Sequence, residues 1–167
     1  MTPFDWTRFS LPIHLRSTPE KAFRAWATSR GLESFFRHQV QFTRTDGSPL
    51  PPDAFPSKGD QIAWTQYRGE AASFGRVVDI VENQLFIFKF DSDSVLVAIT
   101  VEEAGDLSKV TLTQSNMPDT PDGRWQWHVS CRAGWAFFMT NLKSVLEHGT
   151  DLRESDSETT FDPGRFT

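Results

Sequence analysis

The sequence predicts one α+β domain, a curved antiparallel sheet folded around a long C-terminal helix, with two short helices after the first strand. Three observations predict it. Residues 60–116 read almost wholly as alternating strand segments separated by short polar turns, the pattern of an antiparallel meander. From Asp122-Gly123 to about His148, Trp127, Cys131, Gly134, Trp135, Phe138, Leu142 and Val145 recur at helical spacing. An alternating strand and a capped helix start come before both. A chain of 167 residues has room for one ordinary core, and residues 1–153 are assigned to it, with 154–167 as a loosely ordered acidic tail.

The elements follow in order. Phe9 to Arg16 sets Phe9, Leu11, Ile13 and Leu15 against Ser10, His14 and Arg16, the period of a half-buried strand, and Pro12 places it at an edge or a bulge. Ser17-Thr18-Pro19-Glu20 starts a helix, with Thr18 as cap and Pro19 at the first position, continuing to Ala27. Gly31 interrupts, and Leu32 to Phe36 forms a second short helix. Val40, Phe42 and Arg44 alternate as a strand, and the proline-rich stretch 46–57 is a loop long enough to suggest a lid.

In the meander, Ile62, Trp64 and Gln66 share one face, as do Ala72, Phe74, Arg76, Val78 and Ile80 on the next strand. Phe86, Phe88 and Phe90 follow the Glu82-Asn83 turn. Val95, Val97, Ile99 and Val101 follow Asp91-Ser92-Asp93, in which Asp91 and Asp93 read as solvated turn formers. Val110, Leu112, Gln114 and Asn116 complete the sheet. Gly149 caps the last helix.

Composition narrows the function. A formal charge of −5 argues against an electrostatic grip on nucleic acid or anionic lipid. No stretch approaches the length of a membrane span and the N-terminus lacks a secretory pattern, so a cytoplasmic protein is expected. Aromatic usage is lopsided, with Phe 15, Trp 6 and Tyr 1. Phenylalanine has no polar handle, so such a chain favours dry packing or an apolar pocket. The single cysteine, Cys131, reads as a small buried thiol. His14, His38, His128 and His148 lie on separate elements without metal-ligand spacing, so no metal, cofactor or catalytic residue is assigned.

Particular segments resemble a known family. Ser17-Thr18-Pro19-Glu20-Lys21-Ala22-Phe23-Arg24-Ala25-Trp26 resembles the opening of START-like (SRPBCC) domains, whose helix-grip fold has the same order of elements. Gly75-Arg76-Val77-Val78-Asp79-Ile80, Val110 to Ser115, Gly134-Trp135, Asn141 to Gly149 and Asp151-Leu152-Arg153 resemble the branch named for homologues of the activator of the heat-shock-protein-90 ATPase. The resemblance covers about Phe9 to Arg153. Phe35-Phe36 stands where members often carry a tryptophan. The stretch before Phe9 has no room for the separate domain by which eukaryotic activators engage the chaperone. The resemblance therefore implies the superfamily's habit of holding an apolar small molecule between sheet and helix, and leaves a chaperone partner or a homodimer open.

On this reading Trp64, Phe74, Phe88, Trp135 and Phe138 line the space between sheet and helix, or fill it. Gln66, Arg76 and Gln114 share parity with apolar residues and supply the few fixed polar groups that orient a ligand, with Arg76 as anchor. Three functions follow in order: a carrier or sensor of a lipophilic ligand, an interaction module related to chaperone activators, and an enzyme of cyclase or hydratase type using Arg76 or a pocket acid.

Overall fold

The computed structural model describes residues 4–65 and 72–154. Seven antiparallel strands run β1 (Phe9–Leu15), β2 (Gln39–Thr43), β3 (Gln61–Thr65), β4 (Ser73–Val81), β5 (Leu85–Lys89), β6 (Leu96–Ala104) and β7 (Leu107–Ser115). Their spatial order is β1-β7-β6-β5-β4-β3-β2. Pro12 is tolerated because β1 is an edge strand paired on one side only, with β7.

Helices α1 (Pro19–Ala27) and α2 (Ser29–Phe35) fill the link from β1 to β2. The Thr18 hydroxyl accepts from the Lys21 amide, and Thr28 does the same for the Gly31 amide, which starts α2 three residues earlier than the hydrophobic pattern alone indicates. Gly31 is needed for a packing reason: a Cβ there would collide with the Arg24 carbonyl and with Ala25 of α1. The loop at 46–57 is not a free lid. Arg24 and Arg30 bind the main chain and carboxylate of Asp53, and Phe55 packs on Phe23 with ring centroids 5.4 Å apart, so the loop is fastened to the two short helices.

After β7 the chain turns into one helical stretch: a single turn, α3 (Pro121–Gly123), a π-helical segment Arg124–Ser130, and α4 (Cys131–His148). Gly149 closes α4 in the left-handed region at φ 68°. Beyond it Asp151-Leu152-Arg153 folds back. Asn141 of α4 donates to the Phe35 carbonyl and to Asp151, and accepts from the Leu152 amide. Arg153 donates to the carbonyls of Glu33 and Arg37. The terminal motif therefore locks α4 onto the end of α2. No helix among the described residues is long and apolar enough to cross a membrane.

One core occupies the space between the sheet and the helices. In an antiparallel sheet of this order, the N-terminal ends of β1, β2, β4 and β6 and the C-terminal ends of β3, β5 and β7 lie together at one end. The helical stretch begins at that end. It finishes at the other, where Lys143 and Glu147 bond the main chain of His14 and Arg16.

Candidate binding site

The face that meets α4 is set by register. Ile62 and Trp64 of β3 are buried, and they stand opposite Gly75 and Ser73 of β4. Directly opposed residues share a face, so Phe74 and Arg76 point away from the core. Phe74 is 65% exposed and Arg76 is exposed too. This corrects the inward placement that alternation gave them. The cause is a bulge between Val77 and Asp79, which reverses parity partway along β4. Ile80 faces inward, and counting back from it in twos puts Phe74 and Arg76 on the wrong side. Gly75 is part of the same arrangement. A Cβ there would lie 3.0 Å from the Trp64 ring and collide with the Lys89 carbonyl, so the indole of Trp64 occupies the room a side chain on β4 would take.

Trp64, Phe88, Gln114, Trp135 and Phe138 are all buried. Trp64 stacks on Phe90 at 5.6 Å, Phe90 meets Trp135 at 5.1 Å, and Trp135 stacks on Phe36 at 4.9 Å. Phe138 meets Phe36 edge-on at 4.9 Å, and Trp26 lies 6.0 Å from Trp135. These are contact separations for aromatic rings. The rings therefore fill the interior rather than frame a void. Gln66 lies outside the described residues.

Polar groups gather where this aromatic interior meets the end of the sheet at which the helical stretch begins. Gln114, wholly buried near the end of β7, accepts from the Trp135 indole at 2.7 Å and donates to the Trp127 carbonyl at 3.2 Å. That carbonyl belongs to the π-helical segment, a kind of irregularity frequent at functional sites. Cys131 sits beside Gln114, and burial pushes its thiol up to about 11, against the hydrogen bond from Gln114. It is a protonated, inert thiol at neutral pH.

Arg37, between α2 and β2, is only 8% exposed. Its guanidinium lies 4.2 Å from the Phe36 ring centroid and 5.6 Å from that of Phe138. Asp91, in the turn after β5, takes positive φ (49°) as a turn former does. Its outer side meets solvent, yet its carboxyl is sheltered enough that burial raises its pKa, opposed by the charge of Arg37 and a hydrogen bond with Ser73. The buried indole nitrogen of Trp26 has no acceptor among the described residues.

On the outer side of the same rim lies an open groove of about 560 Å³. Phe74, Arg76, Lys89, Asp91 and Asp93 are among its lining residues. Phe74 and Arg76 thus meet on the surface. Sequence reasoning missed Arg37 and Trp26. The signal for Arg37 was an arginine directly after Phe35-Phe36, at a helix end rather than on a strand. No group of His, Cys, Asp and Glu suited to a metal ion occurs among the described residues.

The sequence matches the family described as Activator of Hsp90 ATPase homolog 1-like protein over residues 16–147. Among curated proteins, none matches the chain. Solved structures share the fold. A Staphylococcus saprophyticus protein is 18% identical, with a TM-score of 0.68 over 89% of this chain and 97% of that one. The Aha1 dimer from Colwellia psychrerythraea is 19% identical, with a TM-score of 0.66 over 85% and 97%. A Rhodobacter sphaeroides protein is 20% identical, with a TM-score of 0.62 over 87% and 96%.

Proposed function

The chain belongs to the Activator of Hsp90 ATPase homolog 1-like family, and on that footing we propose that it is a carrier or sensor of a small lipophilic molecule held between the sheet and α4. The observation that carries the reading is that two buried polar side chains, Arg37 laid over Phe36 and Phe138 and Gln114 bonded to the Trp135 indole and the Trp127 carbonyl, stand at one end of an aromatic interior. A few fixed polar groups over an apolar lining are what orient a ligand. A ligand enters by parting the rings. Each aromatic pair lost costs about 0.5–1.5 kcal/mol, whereas burying 200 Å² of apolar ligand surface returns about 5 kcal/mol at roughly 25 cal/mol per Å². Burial outweighs the opening of two or three pairs.

Native mass spectrometry of the purified chain tests this. A co-purified apolar compound, or uptake of an added long-chain alkanol with one-to-one stoichiometry, is expected. Neither being observed refutes the reading.

A second reading, a protein-interaction module, is favoured by Trp125 and Val129, which stand exposed four residues apart on the π-helical segment. A relative is a dimer. If this surface mates with another copy, Trp125→Ser shifts the sedimentation equilibrium toward monomer. A parent chain monomeric at high concentration counts against that form of it.

A further inference from the structure

Resting on the reading that the interior takes a lipophile, we propose that its ligand carries an uncharged carbonyl oxygen on its apolar body, and that the indole N–H of Trp26 donates to that oxygen.

Trp26 is wholly buried near the end of α1. Its ring lies edge-on to Phe35 of α2 at 4.9 Å and stands 6.0 Å from Trp135 of α4. It therefore borders the stack of Trp135 on Phe36, the rings that an entering lipophile parts. Among the described residues, its nitrogen is the only indole nitrogen that is both buried and without a hydrogen-bond partner. The neighbouring ring faces offer an N–H no more than a weak contact. A buried tryptophan ordinarily finds an acceptor, and a donor left orphaned inside costs about 1–3 kcal/mol. Phenylalanine would fill most of the same space without that cost. The missing acceptor is the ligand's.

The neighbouring polar groups narrow its class. Gln114 commits its amide nitrogen to the Trp127 carbonyl and the Met117 sulfur, and its oxygen to the Trp135 indole. The Trp135 N–H is thereby occupied, whereas that of Trp26 is open. One neutral N–H among rings answers a carbonyl oxygen; a carboxylate set against it would keep its charge without a counter-ion. A hydrocarbon leaves the N–H orphaned. The donor also stands on fixed elements, since the Thr18 hydroxyl caps α1 and Asn141 holds the Phe35 carbonyl, so little freedom is lost in orienting it.

The experiment titrates the full chain with methyl heptyl ketone and with nonene, which match in length and differ in the oxygen, and follows the indole signals in ¹H–¹⁵N spectra. Parent and Trp26→Phe are compared. Phenylalanine keeps a ring and removes the N–H, and whatever room it opens serves both ligands alike. The ketone-to-alkene affinity ratio is expected to fall on the order of tenfold from parent to variant, the worth of one buried hydrogen bond. In the parent, the ketone alone is expected to carry the Trp26 indole proton downfield, as hydrogen bonding does. Should Trp26→Phe fail to fold, that proton shift decides. An unchanged ratio, or a Trp26 proton that moves alike with both ligands, overturns this inference and leaves lipophile binding standing. Binding of neither overturns both.

Discussion

Replacing Gln114 with leucine tests how the aromatic interior is held together. The amide is wholly buried, takes the Trp135 indole hydrogen at 2.7 Å and reaches the Trp127 carbonyl at 3.2 Å. Leucine has similar bulk but neither donates nor accepts, so a buried N–H and a half-buried carbonyl lose this partner together. Each orphaned group costs about 1–3 kcal/mol. Better apolar contacts recover part of that, which leaves a loss of about 2–4 kcal/mol, or roughly 4–16 °C in Tm at this chain length. Gln114→Glu is the discriminating control. It keeps an acceptor for Trp135 but buries a carboxylate against a carbonyl, so its own pKa is raised on folding. The penalty is therefore full above that raised value and is lost as pH falls through it toward the ordinary carboxylate range. Equilibrium urea unfolding at pH 7 and pH 5 gives both numbers. A leucine variant within about 0.5 kcal/mol of the parent would refute the reasoning, since that is the scatter of surface substitutions.

Three further perturbations follow from the same structure. Gly75→Ala drives a methyl group into the Lys89 carbonyl of β5, a strand that β6 backs on its other side, so a loss of about 3 kcal/mol is expected by thermal or urea unfolding; an alanine variant as stable as the parent shows that β4 does not run as close to β5 as described. Asn141→Ala, or truncation after Gly149, breaks the lock between α4 and α2 and costs about 2–4 kcal/mol, whereas truncation after Arg153 leaves the melting temperature nearly unchanged. Burial raises the Asp151 carboxyl, but hydrogen bonds from Arg153 and Asn141 outweigh it and hold it below its ordinary range, so the lock's contribution is present above about pH 4 and is lost as pH falls through that lower value. Cys131, with its thiol near 11, is expected to react with iodoacetamide at pH 8 on the order of a hundredfold more slowly than free cysteine; equal rates mean that the thiol is not sheltered as drawn.

Most of the fold is legible in the sequence because most elements obey one period throughout. The alternation in β6 and β7 survives into burial, and of the expected stripe on α4 Gly134, Trp135, Phe138 and Leu142 are buried while Cys131 and Val145 are half-buried. Strand β4 does not, because one extra residue at its bulge exchanges the faces, and nothing in Phe74-Gly75-Arg76-Val77-Val78-Asp79 announces which residue is extra. Gly75 was a hint, since a glycine within a strand often marks a bulge or a close approach.

The site was half legible. Trp64, Phe88, Gln114, Trp135 and Phe138 sit on elements whose periodicity is clean, and they do meet inside. Arg37 and Asp91 sit at a helix end and in a turn, where no period assigns a face, and only tertiary packing brings the arginine near enough for its charge to act on the carboxyl. The terminal motif, Asn141 with Asp151 and Arg153, forms a structural lock.

The most direct test of the central claim is a ¹H–¹⁵N spectrum of the tryptophan indoles during titration with dodecanol. The six indoles report from different places. Trp26, Trp64 and Trp135 are buried among the interior rings, while Trp125 is 58% exposed. A lipophile taken up between sheet and α4 shifts the Trp26 and Trp135 signals together and saturably, and leaves Trp125 in place. A spectrum in which only Trp125 moves, or in which no indole moves at saturating dodecanol, contradicts the account.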